Sequence, residues 1–254
     1  MCLILFAYQQ HPRYRLVLAA NRDEFYARPT APAAFWDDDH DVLGGRDLVG
    51  GGTWMGLTRT GRFAALTNVR EPHRHRPEAP TRGLIVADFL RGTTAPRDYL
   101  EHLRERELRY NGYNVLLGTP TALWWYSNRG GSPRALTPGL YGLSNDLLDT
   151  PWPKVERGKK ALQQALDRPH LTEEAVLDRL LDAEIAPDDE LPRTGVDLEW
   201  ERKLSPPFIV TERYGTRVST LVTITYDGHV AFLERPVAPT SDRTRVRAYR
   251  FQLT

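Results

Sequence analysis

Short runs rich in apolar residues recur along the chain, and turn residues separate many of these runs in pairs. Runs of this kind between clusters of Gly, Pro, Asn and Asp indicate β-strands joined as hairpins. Asp227-Gly228 gives the strongest hairpin signal, and Thr60-Gly61 gives another. The predicted strands lie at residues 3–8, 15–20, 53–58, 62–68, 113–118, 123–127, 140–144, 208–211, 217–226, 229–235 and 245–253.

Helix-start signals mark the segments between these blocks of strands. Thr81 and Thr172 are predicted N-terminal caps, and Pro96 suits a first helical position. The predicted helices lie at residues 81–90, 96–106, 153–166 and 172–183. The acidic, proline-containing segment 182–207 is predicted to be irregular. Blocks of strand pairs with helices between them favour an α+β fold of antiparallel sheets covered by helices.

Composition narrows the class of protein. With 254 residues, of which 41% are apolar and 26% charged, the chain has the length and composition of one globular domain over residues 1–254. The 34 basic and 33 acidic residues are interspersed, which argues against a nucleic-acid partner. No apolar run approaches the ~20 residues of a membrane span. A single cysteine excludes an internal disulfide and suits a reducing compartment, so we expect a cytoplasmic protein.

That single cysteine, Cys2, directly follows Met1. Removal of Met1 would leave a first residue that carries both a thiol and a free α-amine. A nucleophile that uses its own terminal amine as a base is an established solution to acyl transfer. The alternative is structural, because Cys2 opens the apolar run 3–8 and free cysteine often behaves as a small buried apolar residue.

Four polar residues, Asn21 to Glu24, follow the second predicted strand. A tight hairpin would bring them beside Cys2 at the start of the first strand. Arg22 could then lower the thiol pKa, while Asp23 or Glu24 holds the α-ammonium or relays its proton. An ion-pair cluster that caps the hairpin is the alternative.

Two asparagines also end predicted strands. The side-chain amides of Asn68 and Asn145 could stabilise a developing oxyanion, or could equally make turns.

No metal site is predicted, because the chain has no pair of cysteines and no His-Glu-x-x-His helix.

Several sequence blocks, taken together, resemble the NRDE family, which is named for its Asn-Arg-Asp-Glu motif and is also called the transport and Golgi organisation protein 2 family. The resemblance runs from residue 1 to the closing strands. The blocks are Met1-Cys2, residues 18–25 with Arg28-Pro29, residues 51–56, 64–68, 110–114, 141–145 and 150–152, and Tyr214-Gly215-Thr216-Arg217.

The layout is also similar to the N-terminal-nucleophile hydrolases of the bile-salt hydrolase and penicillin V acylase type. This similarity implies a four-layer αββα sandwich of two antiparallel sheets and cleavage of non-peptide amide bonds. In those enzymes two residues separate the Arg from the Asp, whereas Arg22 and Asp23 are adjacent here, which leaves the choice between Asp23 and Glu24 open. The implied catalytic residues are Cys2, Arg22, Asp23 or Glu24, Asn68, Asn145 and Arg217, and Asn21, Trp54 and Asn114 are expected to contact substrate.

We therefore predict hydrolysis or transfer of a small amide- or thioester-linked acyl group by Cys2, without a cofactor. The alternative is a carrier that binds haem, a lipid or an acyl-CoA without chemistry. The resemblance to the NRDE family implies this carrier alternative, because family members are associated with secretory-pathway organisation, lipid or acyl-CoA metabolism and haem trafficking. In the carrier, His73, His75 and Arg82 of the basic segment 70–82 are the expected anchors.

Overall fold

The computed structural model describes residues 2–168 and 170–254, with the backbone alone at Cys2. Thirteen strands occur in this part of the chain. In chain order they are β1 (Cys2–Tyr8), β2 (Tyr14–Phe25), β3 (Thr30–Trp36), β4 (Asp39–Asp47), β5 (Met55–Thr58), β6 (Phe63–Asn68), β7 (Tyr113–Thr119), β8 (Ala122–Ser127), β9 (Arg134–Ala135), β10 (Gly139–Leu143), β11 (Tyr214–Thr225), β12 (His229–Pro236) and β13 (Arg247–Gln252).

Five α-helices occupy the segments between the strands. They are α1 (Gly83–Arg91), α2 (Pro96–Arg104), α3 (Pro153–Leu166), α4 (Glu173–Arg179) and α5 (Leu198–Leu204). In the described residues, none of these helices combines the length and the apolar character needed to cross a bilayer.

The chain folds into two compact units, each assembled from segments that are distant in sequence. The predicted single domain over residues 1–254 stays a prediction. Unit 1 comprises Met1–Ala27, Pro138–Ser144 and Leu148–Phe251, and unit 2 comprises Arg28–Thr137, Asn145–Leu147 and Gln252–Thr254.

Unit 1 is built on a six-stranded sheet of order β10-β1-β2-β11-β12-β13. The pairs β10–β1, β1–β2, β2–β11 and β11–β12 are all antiparallel. Helices α3 and α4 cover one face, where odd-numbered strand residues such as Leu5 and Ala19 pack against Leu162, Val176 and Leu177. Since side chains alternate between the two faces of a sheet, even-numbered residues of β1 and β2 lie on the other face.

Unit 2 contains a seven-stranded sheet in which neighbouring strands follow one another in sequence, from β3 to β9. Helices α1 and α2 pack on it, and Phe89 and Leu100 join Val115 and Tyr126 in a continuous apolar core. Gly61 closes the β5–β6 hairpin with a φ of 82°, a backbone conformation that favours glycine.

These features confirm the predicted α+β class with two antiparallel sheets. Each unit supplies one sheet and one set of covering helices, which are the components of the predicted four-layer sandwich. Several segments differ from the sequence prediction. Strand β2 continues through the polar residues 21–24, residues 30–47 form two strands, and α5 lies inside the segment 182–207. The predicted strand 208–211 is not among the strands of the described chain, where an isolated bridge joins Val210 to Gly215 instead. Helix α1 begins at Gly83 and has Arg82, not the predicted Thr81, at its N-terminal cap.

Candidate active site

The polar residues 21–24 occupy the last part of β2, a central strand of the unit 1 sheet. The backbone of Cys2 lies directly opposite Arg22, and Arg22 in turn lies opposite Val218 on β11. The register between β2 and β11 shifts at this point, from Thr216 opposite Asp23 to Val218 opposite Arg22. Arg217 is the extra residue of this β-bulge, and a bulge commonly re-aims the side chain that it carries.

Asn21 and Asp23 lie on the face of this sheet that the helices cover. Asn21 is fully buried; its Nδ2 donates to the carbonyl oxygens of Leu180 (2.8 Å) and Pro207 (2.9 Å). Its Oδ1 accepts a hydrogen bond from Ser219 Oγ at 2.7 Å. The amide therefore ties β2 to β11 and to the segments around α4 and α5, and its predicted contact with substrate stays a prediction.

The Asp23 carboxylate is also buried, and its Oδ1 accepts a hydrogen bond of 2.7 Å from Thr216 Oγ1. The Thr216 hydroxyl accepts in turn from the backbone N–H of Ile209 at 2.9 Å. Asp23 is thus part of a chain of hydrogen bonds that links β2, β11 and the segment before β11.

Arg22 and Glu24 lie on the opposite face, two residues apart on the same strand. Arg22 is only 6% exposed, and its Nη2 lies 3.9 Å from Glu24 Oε2. Burial and the nearby charge of Arg22 lower the pKa of Arg217, and Glu24 partly opposes this effect. The three charges therefore interact, and Glu24 is the carboxylate that shares a face with Arg22.

Register also bears on Cys2. Directly opposite positions of an antiparallel pair belong to the same face of the sheet, so backbone position 2 shares the face of Arg22. The predicted roles of the Cys2 thiol and of Met1 removal lie outside the described residues.

Gly215, opposite Glu24, is required by close packing. A Cβ atom at this position would lie 2.2 Å from Tyr26 Oη and 2.4 Å from the carbonyl oxygen of Ile209. Only glycine fits without movement of the backbone, which accounts physically for Gly215 beside the bulge at Arg217.

The predicted asparagines group together in unit 2, where β6 ends beside β7. Asn145 Nδ2 donates to the carbonyl oxygen of Asn68 at 2.9 Å, which ties the segment 145–147 to the end of β6. Asn114 is fully buried, and its Nδ2 donates to Thr67 Oγ1 (3.1 Å) and to the carbonyl oxygen of Asp146 (2.9 Å). Among the described residues, Asn114 Oδ1 has no hydrogen-bond donor.

Trp54 lies just before β5, and its indole ring covers Gly45. Gly45 lies within β4, and a Cβ atom at this position would lie 2.2 Å from the ring, so the packing of Trp54 requires a glycine here.

The predicted site residues are divided between the two units. Unit 1 carries Cys2, Asn21, Arg22, Asp23, Glu24 and Arg217, and unit 2 carries Trp54, Asn68, Asn114 and Asn145.

The basic segment 70–82 lies in unit 2 and contains a short 3-10 helix at Pro72–Arg74. His73 and His75 are exposed, whereas Arg82 Nη1 donates to the carbonyl oxygen of Gly112 at 2.8 Å. The Arg82 side chain therefore makes a structural hydrogen bond, and no side-chain hydrogen bond of His73 or His75 occurs among the described residues. The described residues as a whole contain no group of three or more His, Cys, Asp or Glu side chains arranged to hold a metal ion.

Comparison with known proteins agrees with the sequence motifs. The profile of the family described as Transport and Golgi organisation 2 matches residues 1–239. The chain belongs to this family. It is 37% identical to the Transport and Golgi organization protein 2 homolog of Bos taurus, with 99% of this chain and 100% of the relative covered. Identity to the Homo sapiens homolog is 36%, covering 100% of this chain and 99% of the relative.

Two solved structures show a more distant similarity. The Caenorhabditis elegans ortholog of N-acylethanolamine-hydrolyzing acid amidase has a TM-score of 0.48 at 11% identity, covering 87% of this chain and 92% of the other. The C2A mutant of conjugated bile acid hydrolase from Clostridium perfringens has a TM-score of 0.43 at 10% identity, covering 100% of this chain and 98% of the other.

The sequence did not reveal which residues support the family motif from β11. Ser219 and Thr216 donate hydrogen bonds to Asn21 and Asp23, and Gly215 leaves room for Tyr26. Gly215 and Thr216 belong to a block of the family resemblance, but nothing local in the sequence relates any of the three to residues some 190 positions earlier. The separation of Asn21 and Asp23 from Arg22 and Glu24 could have been found, because it follows from the two-residue period of a strand.

The two candidate carboxylates should differ in their effect on stability. We expect Asp23→Asn to lower the free energy of unfolding by about 1.5–3 kcal/mol, because a neutral amide replaces the buried carboxylate that accepts from Thr216. Glu24→Gln, at a partly exposed position, should cost less than about 1 kcal/mol. Urea unfolding of both variants measures the difference; equal losses would contradict the assignment of Asp23 to a structural role.

Proposed function

We propose that this protein hydrolyses or transfers a small acyl group linked as an amide or thioester, with Cys2 as the nucleophile. The observation that carries the proposal is the strand register of unit 1. It places position 2 opposite a buried arginine, on the face that also holds Glu24. A buried guanidinium in this position favours a thiolate over a thiol.

The proposed reaction begins after removal of Met1. The α-amine takes the thiol proton, and the thiolate attacks the carbonyl carbon to form a tetrahedral oxyanion. Collapse of this intermediate breaks the bond to the amine or thiol leaving group, which receives the proton from the α-ammonium. Water then attacks the acyl-cysteine, and the α-amine acts as base again. Transfer to another nucleophile in place of water would make the protein an acyltransferase.

In this proposal the charged residues have distinct tasks. Arg22 stabilises the thiolate, and Glu24 stabilises the α-ammonium, since opposite charges within ~4–6 Å favour the charged forms. Arg217, whose charge interacts with the charges of Arg22 and Glu24, orients an acidic group of the substrate. Asp23 and Asn21 hold the strand in place from its other face.

The remaining predicted residues stay predictions. Asn68 and Asn145 are proposed oxyanion donors, and Trp54 and Asn114 are proposed substrate contacts. Asn114 Oδ1 has no donor among the described residues, so it can accept a hydrogen bond from a ligand.

Covalent trapping tests this proposal. We expect incubation with short-chain acyl thioesters or acyl p-nitroanilides to add one acyl mass to the intact protein, on a chain that has lost Met1. Cys2→Ala should abolish both the adduct and turnover, a loss of at least ~10³-fold, because the nucleophile is absent. Full turnover by Cys2→Ala, or an adduct elsewhere, would contradict the mechanism.

The alternative is a carrier that binds haem or a lipid-like acyl group through the basic segment 70–82. It is supported by the exposure of His73 and His75, which leaves two imidazoles accessible to a ligand. In that case a Soret shift should follow titration with hemin at micromolar protein. The shift should disappear in a His73→Ala/His75→Ala variant and remain in Cys2→Ala. An unchanged spectrum would exclude this form of the carrier.

A further inference from the structure

Arg235 on β12 is a buried arginine whose side chain is only partly matched by the residues around it. Its side chain is 10% exposed, and its Nη1 donates to Asp178 Oδ1 on α4 at 2.7 Å. Nε and Nη2 are buried, and no acceptor among the described residues reaches either of them. Arg235 is thus a buried cation with one carboxylate at one end of its guanidinium.

The geometry of the guanidinium group makes this pattern informative. Nε–H and one N–H of Nη2 point in the same direction and form a fork that matches the two oxygens of a carboxylate or phosphate. Asp178 occupies Nη1, outside that fork. The part of Arg235 that is best suited to bind an oxyanion in a bidentate way therefore has no protein partner in the described chain.

Neighbouring groups do not satisfy the fork. Ser219 lies opposite Arg235 in the sheet, but its hydroxyl proton is donated to Asn21 Oδ1 at 2.7 Å. The Asp178 side chain is 56% exposed, so water screens much of its charge. Because the screened carboxylate of Asp178 balances the buried charge of Arg235 only weakly, an anion is a more favourable partner for the guanidinium than a neutral water molecule.

We propose that Arg235 binds a small oxyanion, a carboxylate or a phosphate group, beneath α4. Register places this site on the helix-covered face, together with Asn21 and Ser219. It is therefore on the other face of the sheet from Arg22 and Glu24, and it does not depend on the acyl-transfer proposal. The exposed Asp178 marks the side from which an anion would enter, with movement of the seven-residue α4.

Thermal unfolding in different anions tests the site. Acetate, formate and phosphate, each titrated against chloride at equal ionic strength, should raise Tm saturably. The rise should be roughly 5 °C at an anion concentration 100-fold above Kd. Arg235→Gln should abolish the saturable shift, and Arg235→Lys should weaken binding at least ~10-fold because an ammonium lacks the fork. Asp178→Asn should tighten binding, since it removes the competing carboxylate.

Arg250→Gln is the matched control, because Arg250 also forms an ion pair with an acidic residue of α4, Glu173, but is 56% exposed. It should keep the wild-type anion response. Saturation by phosphate alone would indicate a phosphate group as the ligand, and saturation by acetate and formate would indicate a carboxylate. A linear, non-saturating shift that persists in Arg235→Gln would reflect general salt effects and overturn the proposal. Equal Tm in chloride and all three oxyanions would overturn it directly.

Discussion

Antiparallel pairing of β2 with β1 and β11 determines the environment of every charged residue in the family motif. Because adjacent residues of a strand face opposite sides, one four-residue sequence serves two purposes. Asn21 and Asp23 face the helices and are held by hydrogen bonds from distant segments. Arg22 and Glu24 face the other side and interact as charges. A shift of one residue in register would exchange these roles and turn Arg22 and Glu24 toward the helices.

Local sequence signals predicted much of this fold. Turn residues indicate where strands such as β6 end, and Asp227-Gly228 indicates the β11–β12 hairpin. Pro153 at the first helical position indicates where α3 begins, and the predicted range of this helix matches the observed one. These features depend on residues close together in the chain. The α+β class then follows from the order of the elements.

Features that depend on distant partners were harder to predict. Residues 21–24 looked like a polar end to a strand, and only Leu180, Pro207 and Ser219 make it possible to bury Asn21. Gly45 lies within β4, where the ring of Trp54 covers it, and no local sequence signal indicates this contact. Helix α5 was missed in an acidic segment, although Asp197 is its N-terminal cap and accepts from the backbone N–H of Trp200.

The central proposal is electrostatic: the charge of Arg22 lowers the thiol pKa of Cys2, the only cysteine of the sequence. The rate of alkylation of Cys2 by iodoacetamide as a function of pH reports its thiol pKa directly, without interference from another thiol. Our account predicts a pKa below the ordinary value of ~8.5 in the wild type, a rise in Arg22→Gln and a fall in Glu24→Gln. A thiol pKa near the ordinary value that is the same in all three proteins would contradict it.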